Sequence, residues 1–393
     1  MAVSPRKKAR PRRRALLVAA ASVALAVTCA GAALAASTDF FEPASSPETA
    51  GMTPVAVAAG DLDGDADADL AVANLGSDDV TILKNNGVGN FFEPTSSPEP
   101  GGGEPASVAA ANFDGDADVD LVVGNQASDD LTFMRNSGTA NFVQPATSPE
   151  ASGANPVSVA AADFDQDGDA DLAITNNVVS GQVTILKNNG LGNFNQPASS
   201  PEAAGSNPAS VAAGDLDGDL DPDLAVANIS SGNVTILKNN GNGNFNQPAS
   251  SPEAVGSSPL SVAAADLDGD LDRDLAVANF NDANVTILKN TGAGNFVQPA
   301  SSPEFVGLQP SSVAAADFDG DGDRDLAVTN SGAATVTILE NAGNGNFTQP
   351  ATSPEGAASG AYSSAVADFD ADTDFDLAIT NYGAGNVTIL KSR

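Results

Sequence analysis

From Asn207 to Glu253 the chain reads NPASVAAGDLDGDLDPDLAVANISSGNVTILKNNGNGNFNQPASSPE, four short β-like runs separated by turn signals. The first, SVAAGDL, is nearly all small and apolar, which suits a strand with little room on either face. The second, DLAVAN, is apolar on both faces. The third, VTILKNN, is β-branched and ends in a basic residue. An NNGNGN turn follows, with the Asn-Gly chemistry of a tight hairpin. The fourth run, FNQPAS, carries a proline, which cannot donate to a ladder and belongs on an edge strand. This order predicts four antiparallel strands graded from a buried inner one to an exposed outer one.

The unit repeats. A ten-residue aspartate-rich pattern opens at Asp61, Asn112, Asp163, Asp215, Asp266, Asp317 and Asp368, at steps of 51, 51, 52, 51, 51 and 51 residues. The single longer step comes from an extra residue in NNVVSGQ, Asn176 to Gln182. A fixed period near fifty marks a repeat architecture, in which no unit buries its apolar face alone. Four strands per unit describe a propeller blade, so the expectation is an all-β, seven-bladed β-propeller. Blades would start near residues 51, 103, 154, 206, 257, 308 and 359. The last unit stops at NVTILKSR, after its third strand, while Thr38 to Glu48 reads TDFFEPASSPE, nearly the outer-strand copy GNFFEPTSSPE of Gly89 to Glu99. The N-terminal segment, residues 36–50, is therefore expected to act as the outer strand of blade 7 and close the ring.

Residues 1–35 stand apart. Arg6 to Arg14 holds seven basic residues, an apolar run follows, and Ala33-Leu34-Ala35 makes an A-x-A cleavage site. These are the parts of a secretory signal peptide, which predicts a secreted, extracellular or cell-surface protein with no membrane insertion after cleavage. The whole chain carries 16 Lys+Arg against 51 Asp+Glu, and loss of the leader's seven cations takes the formal net charge from −35 to −42. Nucleic acid and anionic membranes are poor partners for such a surface. The only cysteine, Cys29, lies in the leader, so no disulfide helps the processed chain, which is expected to be monomeric.

The charge concentrates in the repeated loops between first and second strands, which hold 34 of the 51 acidic residues. Their positions 1, 3, 5, 7 and 9 are Asp61, Asp63, Asp65, Asp67 and Asp69 in the first copy, and Asn112, Asp114, Asp116, Asp118 and Asp120 in the second. The third has Asp163, Asp165, Asp167, Asp169 and Asp171; the fourth has Asp215, Asp217, Asp219, Asp221 and Asp223. The fifth has Asp266, Asp268, Asp270, Asp272 and Asp274. Asp317, Asp319, Asp321, Asp323 and Asp325 form the sixth, and Asp368, Asp370, Asp372, Asp374 and Asp376 the seventh. Alternating oxygens on a short turn gather around a hard cation, with side chains at positions 1, 3, 5 and 9 and a carbonyl at 7, and Ca²⁺ suits such flexible carboxylate-rich sites. With no histidine in the chain and no cysteine outside the leader, zinc and copper lack their usual ligands. Up to seven Ca²⁺ ions are expected, stabilising the fold in place of disulfides.

The stretch SVAAADFDGDGDRDLAVTN, Ser312 to Asn330, resembles the FG-GAP or VCBS repeat, found in the integrin α-subunit propeller and in many secreted bacterial proteins. The resemblance runs through all seven units and implies a seven-bladed propeller with Ca²⁺ held on one face. It implies side-chain ligands at Asp317, Asp319, Asp321 and Asp325 and a carbonyl ligand at Asp323, with the other copies likewise. Family loops usually carry glycine at position 6, where only Gly168 and Gly322 do so here, while five copies have glycine at position 4. DFDADTDFDL, the copy at Asp368, has neither and is expected to bind most weakly; Leu220 and Leu271 fill position 6 in two others.

No catalytic set stands out. Without histidine a serine or cysteine triad has no base. Asp78-Asp79 and Asp129-Asp130, in the second-to-third-strand loops, read as solubilising side chains. A non-catalytic binding or adhesion module for an extracellular protein is the leading expectation; a calcium-dependent lectin-like glycan binder ranks second, and a hydrolase last. The second-to-third-strand loops and the fourth-to-first connections differ between copies and should emerge opposite the aspartate loops. There Phe280, Phe305, Leu308, Tyr362 and Tyr382 break a small, polar pattern and are the candidate partner contacts.

Overall fold

The computed structural model describes residues 39–393. The expected leader, residues 1–35, lies outside the described residues. Seven antiparallel sheets stand around one axis. In the fourth blade the inner strand Pro208–Gly214 pairs with Asp223–Asn228, which pairs with Asn233–Asn239. The inner strands form a closed ring, each touching the next and the last, Ala361–Ala367, touching the first, Pro54–Gly60. Their alanines and glycines leave room for seven backbones to converge, around a central channel of about 420 Å³. The second strand is fully buried along its length in every blade, as its two apolar faces require.

No single core exists. Each apolar cluster joins two neighbouring blades: Ala73, Ile82, Leu121 and Met134 between blades 1 and 2, and so on around the ring. The seventh cluster, with Leu70, Leu83, Phe369 and Ile389, joins blade 7 to blade 1. A blade without both neighbours therefore leaves two apolar faces in water, which is why the unit must repeat.

The outer strand departs from the sequence expectation of one continuous run. It is two short pieces, Phe245–Asn246 and Glu253–Ala254 in the fourth blade, paired with opposite ends of Asn233–Asn239. The proline-bearing stretch between them cannot continue the ladder. A serine takes over: Ser251 Oγ accepts the Ile236 N–H at 2.8 Å, just before a cis Ser251–Pro252 bond. Every blade does the same, through Ser97, Ser148, Ser200, Ser302 and Ser353 in the others. Blade 7 receives its copy from the N-terminal segment. Ser46 Oγ accepts the Ile389 N–H at 3.0 Å, Glu48 and Thr49 pair with Val387 and Asn386, and Phe41 bridges Lys391. The ring is closed as expected.

Candidate metal centres

Each aspartate loop leaves the inner strand and must turn back within a few residues. The backbone turns by adopting positive φ at positions 4 and 6 of every copy, for example Gly64 at 81° and Ala66 at 76°. The position 1 carboxylate caps that turn: Asp61 Oδ1 accepts the Gly64 N–H at 2.7 Å and Oδ2 the Ala66 N–H at 3.0 Å. Position 5 makes a local turn of its own, Asp65 Oδ1 accepting the Asp67 N–H at 3.1 Å.

Position 9 is the most constrained. Asp69 is fully buried at the start of the second strand, and its oxygens accept the Leu62 N–H at 2.9 Å and the Asn85 N–H at 2.7 Å. It thereby ties the loop to the hairpin that follows the third strand. The clamp recurs at Asp120, Asp171, Asp223, Asp274, Asp325 and Asp376. Burial pushes each of these seven carboxyls up to about 7, against the pull of the two N–H groups.

Position 3 sits beside a cation at the end of the same blade's third strand. Lys187 lies 3.2 Å from Asp165, Lys238 3.3 Å from Asp217, Lys289 3.3 Å from Asp268 and Lys391 3.4 Å from Asp370; Lys84–Asp63 and Arg135–Asp114 are the other two pairs. The pair uses Oδ2. The other oxygen, Oδ1 of Asp63, Asp165, Asp217, Asp268 and Asp370, is buried without a hydrogen-bond donor. In the sixth blade Glu340 stands where the others carry Lys or Arg. There burial, with Asp321 alongside, pushes Asp319 up to about 6.

The loop therefore brings together positions 1, 3 and 9. In the triads of Asp61, Asp63 and Asp69; Asp163, Asp165 and Asp171; Asp215, Asp217 and Asp223; Asp266, Asp268 and Asp274; and Asp317, Asp319 and Asp325, one oxygen of each lies within 4.8 Å of the others. Three carboxylates this close, with a buried donor-less oxygen in most loops, could hold a hard cation. Position 7 turns elsewhere: a Cβ on Gly87, Gly138, Gly190, Gly241 or Gly343 of the hairpin would fall within 3 Å of the carboxylate of Asp67, Asp118, Asp169, Asp221 or Asp323. Those glycines have positive φ as well, so hairpin and loop fit each other only with glycine there.

Two features went unread in the sequence. Position 2 is always Leu or Phe, and it plugs the joint to the next blade. Phe164 packs edge-on against Phe245 at 5.4 Å, and Phe369 against Phe91 at 5.4 Å. Phe40 of the N-terminal segment does the same to Phe318 at 5.6 Å. The Asn ending the third strand stitches the same joint, Asn239 Nδ2 donating to the Phe164 carbonyl at 2.8 Å. Aligning the seven copies on each other would have exposed both columns. Asp79 and Asp130, read as solubilising, instead fix their loops, accepting hydrogen bonds from Asn74 and Ser77 and from Asn125 and Ser128.

The candidate partner contacts fall on the opposite face, where the two variable loop types meet: Leu75 N–H donates to the Thr53 carbonyl and Tyr382 N–H to that of Gly360. Phe305, Leu308 and Tyr382 are exposed, whereas Phe280 and Tyr362 are half-buried. Tyr362 lines the channel and packs edge-on against Tyr382 at 5.9 Å.

Solved structures of similar shape are propellers of low identity. The BP39L lectin of Burkholderia pseudomallei is 15% identical with a TM-score of 0.66, covering 87% of this chain and 96% of its own. BBS1N, crystallised in complex with ARL6DN, is 16% identical at TM-score 0.60, covering 88% and 97%. An Agrocybe aegerita lectin that recognises non-reducing terminal N-acetylglucosamine is 19% identical at 0.58, covering 84% and 86%. No curated protein matches the chain. The FG-GAP-like repeat matches six times in overlapping stretches, residues 61–123, 112–174, 168–226, 220–277, 266–328 and 317–379. Each match starts in one aspartate loop and runs through the next blade's second strand, so the repeat unit is the loop with the joint it builds, and the chain belongs to the FG-GAP-like repeat family.

Proposed function

We propose that this chain is a secreted, calcium-stabilised propeller that serves as a non-catalytic binding module for an extracellular protein. The observation that carries calcium is the buried, donor-less Oδ1 of position 3 in five loops, together with the clustering of positions 1, 3 and 9. A cation there satisfies that oxygen and offsets the repulsion among the clustered carboxylates. At about 1 mM Ca²⁺ and a Kd of about 10⁻⁴ M, each site contributes around 1.4 kcal/mol, and seven contribute on the order of 10 kcal/mol. Calorimetric titration of metal-stripped protein tests this. Several ions per chain and a large rise in melting temperature are expected; equal melting in chelator and in millimolar Ca²⁺ overturns it.

Export follows from the leader of residues 1–35, and a processed chain beginning near Ala36 in the culture medium would support it. The binding role follows from the divergence of loops on one face of an otherwise uniform molecule. A glycan is the second reading, because the Tyr362–Tyr382 pair at the channel mouth offers a stacking surface and propellers of this shape include lectins. A glycan array separates the two.

A further inference from the structure

The face opposite the aspartate loops differs from the rest of the molecule in sequence and in charge. The residue directly after each second strand, at the mouth of the channel, is a different type in every blade, from Leu75 and Gln126 in the first two to Phe280 and Tyr382 in the fifth and seventh. The neighbouring Asn is the same in all seven because it is buried and hydrogen-bonded, so the variation is confined to the position beyond it. Apolar side chains stand out beside it: Met52 is 63% exposed, Phe305 76%, Leu308 64% and Tyr382 46%. Met52 and Leu308 lie in the connections into blades 1 and 6, Phe305 on the outer strand of blade 5 and Tyr382 in a loop of blade 7, four consecutive blades around the ring.

Charge is sorted between the faces. Among the described residues are nine cations, and all belong to the aspartate-loop face. Six pair with position 3, Arg273 and Arg324 lie within loops, and Arg393 stacks over Phe41 at 4.6 Å. The other face has carboxylates in its loops, Asp78, Glu104, Asp129 and Asp282 among them, and no Lys or Arg. Nine cations and up to seven Ca²⁺ ions would offset most of the 34 loop carboxylates on the first face, whereas the second face has no cation of its own to offset its carboxylates.

Building on the binding-module reading, we propose that this second face docks a lysine- and arginine-rich polypeptide, with one apolar side chain of the partner seated beside Tyr382. The uncompensated field steers a cationic chain and holds its register. The exposed apolar run supplies the desolvated anchor that charge alone does not. A second copy of this chain would bring the same negative face and be repelled, as would an anionic membrane. A neutral glycan would hydrogen-bond its hydroxyls to these carboxylates but gain nothing from their net charge.

The test uses the full protein in millimolar Ca²⁺ and, as probe, a short labelled peptide of lysines around one leucine, followed by fluorescence anisotropy at low and physiological salt. Asp129→Asn/Asp282→Asn keeps the oxygens that accept the Asn155 and Ser257 N–H groups, so the loops stay folded. This variant is expected to bind roughly tenfold more weakly with a shallower salt dependence. Tyr382→Ser is expected to lose about fivefold with the salt dependence unchanged. Glu42→Gln/Glu93→Gln, on the rim nearer the aspartate loops, is expected to bind like the parent. Absence of peptide binding, or an equal loss in the Glu42/Glu93 variant, overturns the proposal. If an N-acetylglucosamine oligomer binds through Tyr382 and the peptide does not, the basic partner is refuted and the binding module stands. The calcium titration is independent of every one of these outcomes.

Discussion

Thr373 holds φ at 81° at position 6 of the seventh loop, and Ala371 holds 62° at position 4. β-Branched side chains reach that region only with strain, on the order of 1 kcal/mol or more. The other loops ease at least one of the two positions with glycine. Thr373→Gly is therefore expected to tighten Ca²⁺ at the Asp368 loop about fivefold, about 1 kcal/mol, read as the loss of the weakest phase in a calcium titration. If that loop already fills first in the parent protein, the strain argument fails. The position 9 carboxyls make a second prediction. In chelated protein each sits near 7 when folded, against about 3.9 for an unfolded aspartate, so the folded state binds more protons between those limits. Stability of the metal-free protein should fall as pH rises from about 4 to about 7 and level off above. Saturating Ca²⁺ competes with those protons, so the loaded protein should lose stability on acidification instead. Melting curves at pH 5 and pH 7, with and without chelator, should cross over; parallel behaviour would refute the assignment. The alternating oxygens were legible in sequence because seven copies keep them in phase. The clamp at position 9 was not, since its partners, as with Leu62 and Asn85 for Asp69, lie seven and sixteen residues away on elements that only the fold brings together.

Strands read off as runs of small, apolar or β-branched residues fall where the structure has them, because burial on both faces leaves composition little freedom: DLAVAN is fully buried in blades 1, 4 and 5 alike. The outer strand was read as an edge from its proline, and that much held. Its division in two did not show, because the residue replacing the ladder is a serine, common in any loop, and only its hydrogen bond to Ile236 gives it away. Ser251→Ala leaves the Ile236 N–H, in the middle of a buried strand, with no acceptor. A loss of about 1–3 kcal/mol is expected in urea unfolding at fixed Ca²⁺. Ser250→Ala, next to it and exposed, should change little. Equal effects of the two would mean that water replaces the hydroxyl without penalty.

Because every apolar cluster spans two blades, the molecule is only as stable as its weakest joint, and the joint that differs from the rest is the one sealed by the N-terminal segment. There Phe40 plugs Phe318, Ser46 takes the Ile389 N–H, and Glu48 and Thr49 finish the ladder on Asn386–Leu390. A chain starting at Gly51 would expose that third strand as an open edge and leave Phe318 facing water. Open edges template pairing between molecules. Phe40→Ala alone should cost about 3 kcal/mol, as for other buried phenylalanines. The truncated chain should unfold in more than one step, since a ring cut at one joint can fray blade by blade. It should also associate through the bare strand, seen as dimers by size exclusion. Added in trans, a peptide of residues 39–50 should restore both the single transition and the monomer, whereas a peptide with Ser46→Ala and Phe40→Ala should not. If the truncated chain melts cooperatively at the parent temperature, the ring is held by its inner strands alone and the N-terminal closure is dispensable.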